Sequence, residues 1–118
     1  MGKIPDAPIF KFIALKEASD FIESLSLDVQ RKIYYNIDKI AAGIIDSELF
    51  KKLEGTEIWE FRTLYQKRAY RLFAFWDNEM ETFVVATHGI LKKTQKTPKK
   101  EIEKAEAIRS LYFNAKKQ

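Results

Sequence analysis

The sequence contains no cysteine and only one histidine, so it lacks the residues from which several kinds of site are built. A disulfide framework, a thiolate metal site and a histidine-rich metal centre are all excluded. The four glycines are scattered, which argues against a phosphate-binding glycine loop or a dinucleotide fingerprint. No apolar run approaches the roughly 20 residues of a membrane span, and no signal peptide is evident. We therefore expect a soluble, cytoplasmic protein with no membrane partner, no metal and no small-molecule cofactor.

The residues that are present suffice for a single folded domain covering positions 1–118. Hydrophobic residues make up 46% of the chain, and nine phenylalanines, five tyrosines and two tryptophans supply large side chains for a core. With only three prolines in the chain, long loops are not expected.

Positive charge is concentrated at the C-terminal end. Residues 1–88 carry 12 Lys/Arg and 14 Asp/Glu, whereas residues 89–118 carry 9 Lys/Arg and 3 Asp/Glu. A nearly neutral body with a basic end indicates an anionic partner, although a solvated lysine-rich helix gives the same pattern. The densest stretch runs from His88 to Lys100 and joins the only histidine to five lysines.

Hydrophobic periodicity predicts an α+β fold in the order β-α-α-β-β-β-α. We expect a mainly antiparallel sheet with a helical hairpin on one face, followed by a C-terminal helix. Short polar connections near residues 65–67 and 77–79 favour antiparallel hairpins. The predicted strands cover residues 8–14, 57–64, 68–76 and 82–88, and the predicted helices cover 16–25, 26 to about 43, and 98 onward.

Capping residues and apolar stripes fix the expected orientation of two helices. Ser26 is the predicted N-cap of the second helix, which should stop near Gly43, and Thr97 is the predicted N-cap of the last helix, which Pro98 would open. The stripes expected to face the core are Val29, Ile33, Ile37, Ile40, Ala41 and Ile44 in the second helix, and Ile102, Ala105, Ile108, Leu111, Tyr112 and Ala115 in the last.

The alternation of side chains along the strands predicts where chemistry would occur. Glu60 and Arg62 share one face of their strand, Arg71 shares a face with Phe73, and His88 is expected on the same face as Val84 and Ala86. With a regular register, Arg62, Arg71 and His88 would converge, and Lys92, Lys93 and Lys96 would reach them from the following loop.

Each of these residues also has a purely structural explanation. Either arginine could pair with Glu60 across adjacent strands, because a buried unpaired guanidinium is costly. His88 could be a hydrogen-bonded residue at a strand end rather than a general acid or base. Lys92 and Lys93, as adjacent like charges, would lower each other's pKa, or they could simply attract phosphate from a solvated loop.

Metal-independent RNA cleavage is the chemistry that fits these residue types. The 2′-hydroxyl of RNA can attack the neighbouring phosphate, so the protein need not supply a nucleophile. It must remove a proton from that hydroxyl, stabilise the added negative charge and protonate the leaving oxygen. Arginine, lysine and histidine can perform these three tasks.

Several sequence segments resemble the RelE/ParE toxin superfamily, in particular its HigB-like branch of phage-derived toxins. The resemblance covers roughly residues 8–113. Its most specific part is the run Lys-Lys-Thr-Gln-Lys-Thr-Pro at 92–98, and the other matching segments are Lys52-Leu53, Trp59-Glu60-Phe61-Arg62, Tyr70-Arg71-Leu72 and His88-Gly89.

This resemblance implies a RelE-like toxin of a type II toxin–antitoxin system, which acts as a ribosome-dependent mRNA endonuclease. The implied partners are the ribosome with its mRNA and a cognate helix-turn-helix antitoxin. The implied catalytic residues are Arg62, Arg71, His88, Lys92 and Lys93. The basic residues expected to bind RNA are Lys52, Arg68, Lys96, Lys99 and Lys100. The alternatives are a ParE-like, non-enzymatic toxin that inhibits DNA gyrase by protein binding, and an inactive phage-derived remnant.

Overall fold

A computed structural model describes residues 7–94 and 96–117 of the chain as an open five-stranded sheet with three helices. The α+β prediction is therefore confirmed. The elements in chain order are β1 (Lys11–Ala14), α1 (Lys16–Glu23), α2 (Leu27–Ala41), β2 (Phe50–Lys52), β3 (Trp59–Tyr65), β4 (Arg68–Asp77), β5 (Phe83–Lys92) and α3 (Lys99–Lys116).

The strands lie in the order β1-β5-β4-β3-β2. Three of the four pairings are antiparallel and join strands that follow one another in the chain, whereas β1 pairs in parallel with β5. The connection from β3 to β4 has only two residues, Gln66 and Lys67, and both have positive φ angles of 47° and 65°. Such a tight turn matches the twist of the sheet, but it forces two non-glycine residues into the left-handed region.

Helices α1 and α2 cover one face of the sheet. Ser26 accepts a hydrogen bond from the Val29 backbone N–H at 3.4 Å, as the N-cap prediction requires, and Gly43 follows the end of α2 with a φ of 101°. The core on this face contains Val29, Ile33, Ile37, Ile40, Phe61, Leu72, Ala74, Val84 and Ala86. Ile44 lies beyond the helix and is exposed, so the predicted stripe is wrong at its last position.

Helix α3 lies on the opposite face. Its buried Ala105 packs with Phe73, Phe75 and Val85, which alternate along β4 and β5 with residues of the first core. Tyr112 and Lys116 anchor its far end by donating hydrogen bonds to the buried Asp77 carboxylate at 2.6 and 2.7 Å. The expected burial of Leu111 and Ala115 is wrong, because Leu111 is 69% exposed and Phe113 packs against the core instead.

Several predicted boundaries need correction. The short strand β2 was not predicted, since three residues are too few to show a period. β1 begins at Lys11 rather than at residue 8, and β5 continues through Lys92 rather than ending at 88. α3 begins at Lys99 with Pro98 in the N-cap position, and no side chain caps it. Within the described residues, no helix is both long and apolar enough to cross a membrane.

Candidate functional site

Two arginines stand directly opposite each other on the sheet face that α3 partly covers. Arg62 of β3 pairs with Arg71 of β4, and Arg71 in turn pairs with Ile90 of β5. Like charges placed directly across two strands destabilise a sheet unless a nearby group compensates them. The compensating group here is a carboxylate on the same face of β3, two residues before Arg62.

Glu60 supplies that carboxylate, and it is only 2% exposed. Its Oε1 atom lies 3.3 Å from the Nε of Arg71 and 3.5 Å from the Nε of Arg62. Both predicted arginines are thus paired with Glu60, as the structural explanation of their presence required. One carboxylate carries one negative charge, however, so it balances only one of the two guanidinium groups.

The other guanidinium contacts are with backbone carbonyl oxygens. Arg71 Nη1 donates to the Tyr70 carbonyl and Arg62 Nη1 donates to the Ser47 carbonyl, both at 3.2 Å. The two Nε atoms are buried and have no hydrogen-bond partner among the described residues. Burial lowers the pKa of Arg71, and the negative charge of Glu60 opposes that effect. The result is a pre-positioned pair of guanidinium groups with an excess of positive charge.

Lys92 is a third basic group on this face. Lys92 is the last residue of β5 and pairs with Ala69 of β4. It lies two residues beyond Ile90, so its side chain is on the same face as that of Arg71. Burial is the main cause that lowers the pKa of Lys92, and the positive charges of Arg71, Arg62 and Lys51 lower it further. The negative charge of Glu60 raises it. The expected lowering of the Lys92 pKa therefore has a different cause from the one predicted. We call Glu60, Arg62, Arg71 and Lys92 the basic cluster.

A β-bulge determines where His88 points. Phe73 pairs with His88 and Ala74 pairs with Ala86, so Thr87 is an extra residue in β5. The extra residue turns His88 to the face of Phe73, away from Val84 and Ala86. The predicted grouping of His88 with those two residues is therefore wrong, and it is the bulge that brings His88 to the arginine face.

His88 is nevertheless buried beneath α3, with 3% of its surface exposed. Its ring stacks on Phe73 at 4.9 Å between centroids, its Nδ1 lies 2.9 Å from the Thr87 hydroxyl, and its Nε2 lies 3.3 Å from Glu101 Oε1. Burial lowers the pKa of His88, and the positive charge of Lys104 lowers it further. In this position His88 cannot reach a substrate on the surface, so the expectation that it transfers a proton directly to RNA is not supported by the geometry.

The start of α3 is tied to the basic cluster. The Thr97 hydroxyl donates to Glu60 Oε2 at 3.0 Å instead of capping the helix, which corrects the predicted capping role. Glu101, in the first turn of the helix, contacts His88. These two contacts hold the loop between β5 and α3 against the site.

The remaining predicted residues fall into two groups. Lys93, Lys96, Lys99 and Lys100 are all exposed around the loop and the start of α3, and Lys93 shares with Lys92 the lining of a pocket of about 280 Å³. Lys52 and Arg68 are also exposed, but strand alternation places both on the opposite face from Arg71. Lys51, which pairs with Glu60, is the lysine of β2 that lies on the same face as the basic cluster, and the prediction missed it because β2 itself was missed.

A second pocket adjoins the arginines. Its volume is about 260 Å³, and it is lined by Glu48, Arg62, Leu64, Ala69 and Arg71. No group of His, Asp and Glu side chains capable of holding a metal ion occurs in the part of the chain that the structure describes. The arrangement can bind an anion bidentately through guanidinium groups and can offer an amine of lowered pKa beside it.

Comparison with known families is consistent with the fold. The family model for "Phage derived protein Gp49-like (DUF891)" matches residues 20–110, a span that runs from α1 into α3 and contains the whole basic cluster. No curated protein matches the chain. Since the family match covers well over half of the sequence, the chain belongs to the phage-derived Gp49-like family.

Proposed function

We propose that this protein is the toxin of a type II toxin–antitoxin system and that it cleaves mRNA on the ribosome by attack of a 2′-hydroxyl on the adjacent phosphodiester. The proposal is supported by the phage-derived Gp49-like family, which is in general RelE-like and toxin-like. The observation that carries it is the pair of opposed arginines, Arg62 and Arg71, which share one buried carboxylate.

Without a ligand, the arginine pair lowers the stability of the folded protein. Two like charges face each other across neighbouring strands, and Arg71 is only 7% exposed. Replacing a buried ion pair with apolar residues of similar size often leaves stability unchanged or improved. A phosphate bound to both guanidinium groups would remove the excess positive charge, and this need is greatest when the phosphorane-like transition state gains negative charge.

Proton transfer is assigned to Lys92, the last residue of β5, and to Lys93, which follows the strand. Burial and the positive charge of Arg71 lower the pKa of Lys92, which increases the fraction of neutral amine that can accept the proton of the 2′-hydroxyl. The 2′ oxygen then bonds to phosphorus, and the bond from phosphorus to the 5′ oxygen breaks. The leaving 5′ oxygen takes its proton from the exposed ammonium of Lys93, which lines the same pocket. His88 acts through its contacts with Phe73 and Glu101 and does not touch the RNA.

The test is to map RNA ends in bacteria after induction of the wild type, Arg71→Ala or Arg31→Ala. Arg31 is an exposed arginine on α2, at the other face of the sheet, so it controls for loss of one positive charge. We expect growth arrest and new breaks within translated codons for the wild type and Arg31→Ala only. Folding of each variant is checked by circular dichroism.

Other outcomes would identify the alternatives. DNA damage without such breaks would support a ParE-like gyrase inhibitor and contradict the nuclease proposal. Absence of both effects from well-expressed wild-type protein would indicate an inactive phage-derived remnant.

A further inference from the structure

The pocket beside the arginines has a composition that phosphate binding alone does not require. It is lined by Arg62 and Arg71, by the apolar residues Leu64 and Ala69, and by Glu48. Leu64 is 68% exposed although it lies within β3. An exposed leucine and a carboxylate next to a phosphate-binding pair suit a ligand that has a phosphate at one end and a planar, partly apolar group at the other.

The order of residues across the sheet indicates which end of the pocket would hold a phosphate and which end would hold a base. Leu64 pairs with Ala69, and Ala69 pairs with Lys92. These three residues form a row across β3, β4 and β5, and Lys92 lies at its β5 end. Glu48 also lines the pocket, and the turn that carries it is hydrogen-bonded to Arg62 of β3, at the edge of the sheet away from β4 and β5. A phosphate between Arg71 and Lys92 would therefore leave the apolar floor and Glu48 for the attached base.

The turn that carries Glu48 is fixed to Arg62. The Asp46 carboxylate accepts the Glu48 backbone N–H at 2.9 Å, and the Ser47 carbonyl accepts Arg62 Nη1 at 3.2 Å. The Arg62 backbone N–H also donates to the Leu49 carbonyl at 2.8 Å. The Glu48 carboxylate forms no ion pair within the described residues, so it is available to a ligand.

We propose that this pocket is a nucleobase subsite that selects guanine, with Glu48 as the specificity-determining residue. An ionised carboxylate only accepts hydrogen bonds. Guanine offers it two adjacent donors, N1–H and the N2 amino group, whereas each of the other three bases offers a single donor group on that edge. Leu64 and the guanidinium plane of Arg62 supply surfaces on which the base packs. The volume of about 260 Å³ lies just below that of pockets for drug-sized ligands, as expected for a single base.

This inference rests on the proposed function for its substrate class, but its test needs no RNA cleavage. The four nucleoside 3′-monophosphates are titrated into the protein, and binding is followed by calorimetry and by backbone amide shifts near Glu48. We expect guanosine monophosphate to bind about tenfold more tightly than the other three. Glu48→Gln should abolish that preference without weakening the binding of inorganic phosphate. Glu54→Gln, which changes an exposed glutamate outside the pocket, should keep the preference.

Two results would overturn the inference. Equal affinities for all four nucleotides, with binding lost in Arg71→Ala, would leave a phosphate site without base selection and would not affect the nuclease proposal. A guanine preference that persists in a folded Glu48→Gln variant would remove Glu48 from the role. RNA breaks in cells that do not depend on Arg71 would instead contradict the proposed function.

Discussion

The carboxylate of Glu60 and the guanidinium of Arg71 form a buried ion pair, with 3.3 Å between Oε1 and Nε. Glu60→Gln would leave Arg62, Arg71 and Lys92 without their negative partner. Because breaking a buried ion pair leaves a buried charge uncompensated, we expect the free energy of unfolding to fall by about 3 kcal/mol. Chemical denaturation measures this change, with the exposed Glu54→Gln as control.

The same substitution should also lower the pKa of Lys92 further, since Glu60 raises it. An unchanged Lys92 titration by NMR would contradict the electrostatic contact between Glu60 and Lys92.

His88 should make stability depend on pH. Burial and the charge of Lys104 lower its pKa in the folded protein, and the contacts with Glu101 and Glu17 only partly oppose them. The unfolded chain, with a histidine pKa of about 6.5, therefore binds more protons as the pH falls. Stability should decrease as the pH drops below about 6.5, until the folded-state pKa is passed. His88→Gln should lack this decrease, and identical pH dependence of urea denaturation in the two proteins would contradict the assignment.

The turn between β3 and β4 stores backbone strain that glycine would relieve. Lys67 has a φ of 65°, a conformation that costs an L-residue roughly 1–2 kcal/mol. Lys67→Gly should therefore raise the free energy of unfolding by about 1 kcal/mol. Lys67→Ala is the matched control, because it removes the same side chain but retains the strain. Equal stabilities of the glycine and alanine variants in thermal unfolding would show that the turn is not strained.

Gly89 is required by close packing rather than by its backbone angles. A Cβ atom at this position would overlap the ring of Phe21 from α1. Gly89→Ala should destabilise the protein by about 1–3 kcal/mol, the range found when cores are overfilled. Phe21→Leu should cost stability alone but should recover part of the loss in the double variant. Purely additive effects in this double-mutant cycle would argue against the contact.

The sequence predicted the larger elements because each shows a clear period or cap. The four-residue spacing of apolar residues defined α2, and Ser26 defined its start. β2 could not be predicted, since a three-residue strand is specified by its pairing with β3 rather than by its own pattern. The partial burial of α3 also had no sequence signal. Its Asp77 anchor joins two elements 35 residues apart, and nothing in the local pattern identifies Tyr112 as the donor.

The candidate site was predictable in its components but not in its arrangement. Strand alternation correctly placed Glu60 and Arg62 on one face and made their pairing an open alternative. The bulge at Thr87 was not predictable, because it leaves no pattern of its own, and it changed the face on which His88 lies. The environment of Lys92 likewise depends on the register of β5 against β4, which places it beside Arg71 instead of in a loop.

Attack by the RNA's own hydroxyl is tested by cleavage of a short mRNA on purified bacterial ribosomes, with a 2′-O-methyl group at the nucleotide that is normally cut. If the RNA's own hydroxyl is the nucleophile, cleavage at that nucleotide should stop, and the unmodified mRNA should yield an upstream fragment ending in a 2′,3′-cyclic phosphate. Arg71→Ala should fail to cut either mRNA. Cleavage that persists at the methylated nucleotide, or fragments that end in a 3′-hydroxyl, would exclude the 2′-hydroxyl as the nucleophile.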